Sequence, residues 1–517
     1  MDDSINPIPT ICRLRENQYY TMEELSGLLD SHQDANAFVD YMRKQEVCKT
    51  KTDVSNKTYS FSFVGLIEFE KEGKTSDDNK KRRVVFIEPK FFPTDREGKR
   101  EGGMDECQKI VLKAILKYHK SQQISSFSSG RLTSYEGCST PLSTKLALIR
   151  DVMEKGIYQV PKIEMVVNGQ GDVDWNETFA TLDPVFLQDG PCYANTVNGE
   201  MGYDDDTYIS RLQMCLASRC ISYFEEIGLA EPLGLFLDTP YDGDLSDFGS
   251  KEYCASRIEN ELRTQFIDDK KNTLRLMKAV LENESRGHDA LESQSFGTSG
   301  FHSLWEQAIK DVFCDELPRR PKDLFNGQEL ERIEKQIEKK EKLDKQLKEF
   351  IDPPLWKQGG TENVQGETDR LRPDFVAIAR DKNKELFSFI ILDAKYYVPE
   401  FKGETIDDAP GVSDINKQVL YQLAYSELIS SCGANGKVHN AFMFPWWNPN
   451  WSEGNDLKAE LFATIIVPSF GPCIDEPLKA YRLDGIELLQ RYVYNECDDE
   501  RHSALMKICE CERTDTV

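Results

Sequence analysis

At 517 residues the chain exceeds what one hydrophobic core organises, and its length predicts two to four domains. A formal net charge of −26 at pH 7 works against free, non-specific binding to DNA phosphates, so a nucleic-acid substrate would have to be delivered by something else. There is no signal-peptide-like start, no apolar run of the roughly 18 residues needed to cross a bilayer, and no CxxC among the 14 cysteines; together these predict reduced thiols in a cytoplasmic protein without membrane contact, rather than disulfides or a zinc site.

In residues 1–100 the pattern predicts a small mixed α/β domain suited to partner or DNA contact. Thr21-Met22-Glu23-Glu24 reads as a helix start with an acidic first turn. Leu25, Leu28, Leu29, Phe38 and Val39 supply the apolar faces of two short helices. The runs Tyr59–Ile67 and Val84–Ile87 read as strands on either side of the polar loop Glu70–Arg83, and Pro89 ends the second. Helices followed by a hairpin fit a winged-helix-like nucleic-acid module or a protein-contact domain. Lys80-Lys81-Arg82-Arg83 reads as a solvated turn or a DNA patch.

Residues 101–295 read as a mainly helical middle domain. Ile110, Val111, Ala114, Ile115 and Tyr118 recur at helical spacing, a serine-rich break follows at Ser121–Ser134, and Leu146–Met153 resumes a helix that Gly156 should stop. Asn168-Gly169-Gln170-Gly171-Asp172-Val173-Asp174-Trp175 is a glycine-rich turn with no Walker-type lysine. GxxxxGK[ST] occurs nowhere, and Gly433-Ala434-Asn435-Gly436-Lys437 lacks both its spacing and its hydroxyl, so no nucleotide-binding residue is assigned.

The last section, 296–517, opens with Phe301, Leu304, Trp305, Ala308, Ile309, Val312 and Phe313 as one helical stripe, with Glu306 at its edge. A charged stretch with Leu330, Ile333, Ile337, Leu343 and Leu347 near heptad spacing predicts a helical arm over Glu329–Phe350, inside an insertion spanning about 315–368. Phe375–Ala379 and Leu386–Leu392 then form a hairpin around a polar turn, and the second run, apolar on both faces, suits a central strand. Ser413-Asp414 can cap a helix running to about Ser430 that carries Asp414, Gln418, Tyr421 and Tyr425 on one face. Val438–Phe444 and Leu461–Val467 add two strands. Cys509 and Cys511 form a CxC that reads as structural or as a redox or metal pair.

The chemistry gathers at the hairpin, in Arg372-Pro373-Asp374 and Asp393-Ala394-Lys395. Alternate strand residues share a face, so Asp393 and Lys395 project together. Two carboxylates and a lysine at a hairpin end can hold a hard cation through oxygen and position an attacking water. A surface ion pair is the bland alternative, but paired charges ending so apolar a strand speak for use.

On these residues the chain resembles the LlaJI-type restriction endonucleases, relatives of McrC, the nuclease subunit of McrBC systems. The resemblance includes Phe63-Val64-Gly65, Glu88-Pro89-Lys90-Phe91-Phe92, Asp151–Tyr158 with Asn168–Trp175, Leu304-Trp305-Glu306, Arg372-Pro373-Asp374, Asp393–Tyr397 and Asp414–Gln418. It implies an α+β or α/β multidomain chain whose C-terminal part is a PD-(D/E)XK nuclease core, a mixed central sheet flanked by helices. The activity implied is that of a Mg²⁺-dependent deoxyribonuclease on double-stranded DNA, with Mn²⁺ as a substitute metal. Asp374, Asp393 and the Ala394 backbone carbonyl would bind the metal and Lys395 would orient the water. Glu306 would complete or support the metal site, Gln418 would touch metal-bound water or the DNA backbone, and Arg372, Lys417 and Tyr421 would contact DNA. The implied partner is a separate McrB-like AAA+ GTPase or ATPase subunit that recognises and translocates DNA. Two other readings stay open: a non-catalytic nuclease-like adaptor that docks a motor, and a repair exonuclease of the same fold.

Overall fold

A computed structural model describes residues 11–52, 57–70, 82–96, 98–100, 104–128, 141–188, 190–226, 229–285, 294–353, 355–356, 364–365, 371–380, 387–432, 437–449, 457–470, 476–496 and 502–509. The chain is a mixed α/β protein with two five-stranded sheets and smaller ones. No described helix is long and apolar enough to cross a membrane.

The first large sheet has the strand order Gln294–Thr298, Val64–Glu70, Arg82–Glu88, Ile11–Arg15, Gly98–Arg100. Its central Ile11–Arg15 and Arg82–Glu88 strands are parallel, so Glu16 and Lys90 leave the sheet at the same end. The expected Thr21 helix start is present as a capping box: Thr21 Oγ1 accepts from Glu24 N and Glu24 Oε2 accepts from Thr21 N. The run expected as one strand over Tyr59–Ile67 is two strands in different sheets, Lys57–Phe61 and Val64–Glu70. The Ser62 N–H still donates to Val47 O, extending the pairing of Lys57–Phe61 with Cys48–Thr52 by one step, before the chain enters the other sheet at Val64. Gly65 then meets Gly297 in register at φ +142, where a Cβ would lie 2.3 Å from Phe296 O. The Lys80–Arg83 side chains lie outside the described residues.

The section expected to be mainly helical contains helices Glu106–Ser128, Pro141–Lys155, Tyr208–Glu226, Lys251–Thr264 and Asp268–Ser285. Gly156, at φ +78, follows the second as expected. The break expected from Ser121 does not begin there, since the first of these helices continues to Ser128. The same section also holds an antiparallel sheet ordered Val160–Val167, Val197–Asp204, Asp172–Val173, which the reading did not foresee. Its first strand, Val160–Val167, alternates Ile163, Met165, Val167 with Lys162 and Glu164, the period of a strand. The glycine-rich turn serves this sheet: a Cβ on Gly171 would lie 1.9 Å from Gly199 O. Asp174 then caps helix Trp175–Thr181 by accepting from Glu177 N.

The second large sheet runs Phe375–Arg380, Phe387–Ala394, Lys437–Trp446, Leu478–Asp484, Ala459–Ile465. Its first and last pairings are antiparallel and the two between them parallel. The turn of the expected hairpin, 381–386, lies outside the described residues. Helices Phe301–Val312 and Gly485–Tyr494 bury Leu304, Trp305, Ile309, Leu488 and Leu489 against this sheet and against helix Glu106–Ser128, so one apolar core joins the sections. Gly485 is needed where the sections meet, because a Cβ there would lie 2.6 Å from the Phe91 ring.

The arm expected as one helix over Glu329–Phe350 is divided into helix Gly327–Gln336 and two short turns, Lys340–Asp344 and Leu347–Glu349. Ile333, Ile337, Leu343 and Leu347 are buried against Phe389, Tyr421 and Tyr425. The apolar stripe is therefore used, but backbone bonds to other segments replace helical ones: Glu338 N donates to Glu427 Oε1, and Leu347 N to Arg319 O. The helix expected from Ser413 to Ser430 begins after Gly411, with no side-chain cap, and divides at Tyr425 into Val412–Ala424 and Ser426–Ser431.

Candidate active site

Register sets the two aspartates face to face. Phe375 pairs with Leu392 in the antiparallel ladder, so one step further Asp374 stands opposite Asp393. Asp374 Oδ2 accepts from the Ala394 N–H at 3.1 Å, which fixes that carboxyl at the strand end. Asp393 closes an apolar strand, is 5% exposed, and stands in parallel register with Phe442.

Lys395 follows immediately. Its N–H donates to Met443 O at 3.1 Å, and its Nζ lies 3.1 Å from Asp393 Oδ2 and 3.3 Å from Asp414 Oδ1. Burial alone would push this ammonium down, but Asp393 and Asp414 outweigh burial and hold its pKa above the ordinary lysine range. Lys395 is therefore held as a cation between Asp393 and Asp414. Asp414, half-buried in the first turn of helix Val412–Ala424, had been noted only as sharing the face of Gln418 and Tyr421.

Burial, and then the Asp393 carboxyl beside it, push Asp374 from 3.8 up to about 8, against the pull of Lys395 and Lys310. Withdrawn from water and set beside a second carboxyl, Asp374 keeps its proton where an exposed carboxyl would lose it. Tyr421 is 7% exposed and its phenol is raised by burial and then by Asp393 and Asp374.

Helix Phe301–Val312 reaches the site through its indole: Trp305 Nε1 donates to Met443 O at 3.2 Å, the carbonyl that also accepts from Lys395 N. Glu306, the next residue, is half-buried and ion-paired with Lys310 one turn on. The structure does not bring Glu306 into a cluster with Asp374 and Asp393: among the described residues no group of three or more His, Cys, Asp or Glu side chains is placed to hold a metal ion. Lys310, whose charge does reach Asp374, went unnoticed; its place four residues after Glu306 was the available signal.

Two expected contacts are displaced. Gln418 is fully buried, and its Nε2 donates to Ala441 O at 2.9 Å, so the side chain ties helix Val412–Ala424 to the sheet and is not exposed to solvent. Tyr421 is likewise withdrawn from solvent, because the face that carries it packs toward the sheet. Arg372 and Lys417 are exposed. Cys509 is buried and forms no disulfide among the described residues, while Cys511 lies outside them.

One neighbouring arrangement was legible only in three dimensions. Tyr396, the residue after Lys395, donates through its hydroxyl to Glu16 Oε2 at 2.6 Å and accepts from the Lys90 N–H at 3.1 Å. Its ring lies 5.1 Å from that of Phe301, and Lys90 Nζ sits 5.2 Å from the centroids of both Tyr396 and Tyr397.

A model of the family described as LlaJI restriction endonuclease matches residues 78–342 and 317–456. The Type II restriction enzyme BsuMI component YdjA of Bacillus subtilis (strain 168) is 29% identical over 294 residues, 56% of this chain and 55% of the relative. The chain thus spans about half the length of the curated relative it matches. Among solved structures, a half-complex from a tetradecameric assembly of Thermococcus gammatolerans McrB AAA+ hexamers with bound McrC contains a chain that aligns over 94% of this one and 99% of itself. The two are 12% identical with a TM-score of 0.35, too slight a likeness to argue a shared fold.

Proposed function

Because the chain belongs to the LlaJI restriction endonuclease family, we propose that it is the DNA-cleaving subunit of a restriction system, a Mg²⁺-dependent deoxyribonuclease with a PD-(D/E)XK-type core. The observation that carries this reading is the Asp374–Asp393 pair, a half-buried and a buried carboxyl side by side at the end of a sheet with Lys395 held against Asp393. The site has surplus negative charge, and its donors are all oxygen: two carboxylates and the Ala394 carbonyl. That is the set a hard divalent cation takes. Such an ion, when bound, polarises the scissile phosphate and lowers the pKa of water. Asp374 and Asp393 would hold it, and Asp374 would give up its proton to do so. Lys395 keeps its charge and orients the incoming water and the phosphate oxygen. Asp414 and the Met443 carbonyl keep Lys395 aimed, and Glu306 supports the site from the neighbouring helix once released from Lys310.

Substrate delivery belongs, in this reading, to a separate McrB-like AAA+ subunit. The sequence has no P-loop and a net charge of −26, so it neither hydrolyses nucleoside triphosphates nor holds double-stranded DNA unaided. A partner also has a surface to meet. Ile163, Met165, Val167, Met201 and Tyr203 lie on one face of the small antiparallel sheet, each 52–75% exposed. In a cleavage assay with closed circular DNA, Mg²⁺ and the motor subunit, Asp393→Ala and Lys395→Ala should abolish cutting and leave assembly intact. Undiminished cutting by either variant refutes the assignment.

A further inference from the structure

We propose that Tyr396 is a positioning residue that latches the catalytic strand end to the N-terminal sheet through Glu16 and Lys90, so that the aim of Lys395 depends on how the N-terminal sheet is seated; the inference rests on the nuclease reading above. The latch has several independent ties. The Tyr396 hydroxyl donates to Glu16 Oε2 at 2.6 Å and accepts from the Lys90 N–H at 3.1 Å. Lys90 Nζ lies 2.9 Å from Asp408 Oδ2, which in turn accepts from the Val398 N–H at 2.7 Å. The segment 396–408 that follows the catalytic lysine is thus held by residues just past two parallel strands of the first sheet.

Any buried tyrosine hydroxyl needs hydrogen-bond partners, and here both come from chain ends leaving the N-terminal sheet. Glu16 is 6% exposed and Tyr396 8%, and burying a carboxylate is costly unless a strong donor meets it. The Tyr396 hydroxyl is that donor, and the residue that carries it is joined to Lys395 by a single peptide bond. On the other side of that bond the Lys395 N–H is fixed on Met443 O, so the backbone that aims the ammonium is clamped from both directions. Loss of the latch leaves Asp374, Asp393 and Asp414 in place but lets the lysine backbone drift, and outer hydrogen-bond partners of this kind are worth roughly ten- to hundredfold in activity.

The test uses the full chain with its motor subunit. Tyr396→Phe keeps the ring between Phe91 and Phe301 and removes only the hydroxyl. It should lower kcat roughly ten- to hundredfold while KM for DNA stays unchanged. Glu16→Gln, which still offers an acceptor oxygen, should stay within about twofold of wild type, whereas Glu16→Leu should behave as Tyr396→Phe. Amide hydrogen exchange of Lys395–Val398, read without any substrate, should speed up in Tyr396→Phe and Glu16→Leu and stay slow in Glu16→Gln. Unchanged exchange in Tyr396→Phe refutes the latch whatever the chemistry. Faster exchange with wild-type kcat, or a kcat loss equal to the loss of folded protein, refutes the positioning role. A wild-type chain that does not cut counts against the nuclease reading, and the exchange then decides the latch by itself.

Discussion

Replacing Asp374 with asparagine should make the metal-free protein more stable above neutral pH and at the same time inactive. The folded carboxyl holds its proton to about 8 against an ordinary value of 3.8, because it is buried beside Asp393. Between those values the native state carries a proton that the unfolded chain has lost. The stability this group confers is therefore complete below the unfolded pKa and disappears as pH rises through the folded one. One proton is worth about 1.4 kcal/mol per pH unit, so going from about pH 5.5 to about pH 7.5 removes at most about 3 kcal/mol through this pair. Asparagine has no such proton, and its Oδ1 can still accept the Ala394 N–H that Asp374 accepts at 3.1 Å. The assay is urea unfolding of both proteins in chelator at the two pH values. Other buried carboxyls with raised pKa values, Glu16 and Glu88 among them, change both proteins alike, so the difference between them isolates Asp374. If wild type and Asp374→Asn lose the same stability across the window, Asp374 does not hold its proton in the folded state and the electrostatic argument fails.

Trp305→Phe removes the indole donor that lies 3.2 Å from Met443 O and should cost about 1–3 kcal/mol by denaturant titration. It should also depress cutting beyond that loss, because the same carbonyl holds Lys395; a stable variant with full activity would detach this helix from the site. Gly65→Ala drives a Cβ to 2.3 Å from Phe296 O and 2.5 Å from Gly297 Cα at φ +142. It should destabilise the first sheet by about 2 kcal/mol or more, read as a lowered Tm, and wild-type stability would mean that strands Val64–Glu70 and Gln294–Thr298 are not so closely apposed.

Legibility in the sequence followed locality. The Thr21 capping box, the Phe301–Val312 stripe and the hairpin at Asp374 and Asp393 depend on neighbours a few residues away, and the composition spells them out. The strand Leu478–Asp484 and helix Gly485–Tyr494, central to the second large sheet and its cover, went unread, although the Asp484 cap on Ile486 and Glu487 was a usable local signal. The single helix expected over Glu329–Phe350 failed for the opposite reason: its periodicity was real, but distant acceptors, the Glu427 carboxylate and the Arg319 carbonyl, take N–H groups that one helix would have paired internally.

The sequence by itself determined the mixed α/β character, the apolar strand that buries Asp393, the order of carboxylate, carboxylate and lysine, and the charge that makes unaided DNA binding unfavourable. Those properties reside in residue types and short spacings. Only the tertiary structure decided that Lys395 is shared with Asp414, that Gln418 and Tyr421 face inward, that Glu306 is engaged by Lys310, and that Tyr396 is tied to Glu16 across 380 positions of chain. Each of these depends on which way a side chain turns when two separately folded elements meet, and that is set by packing a shared core.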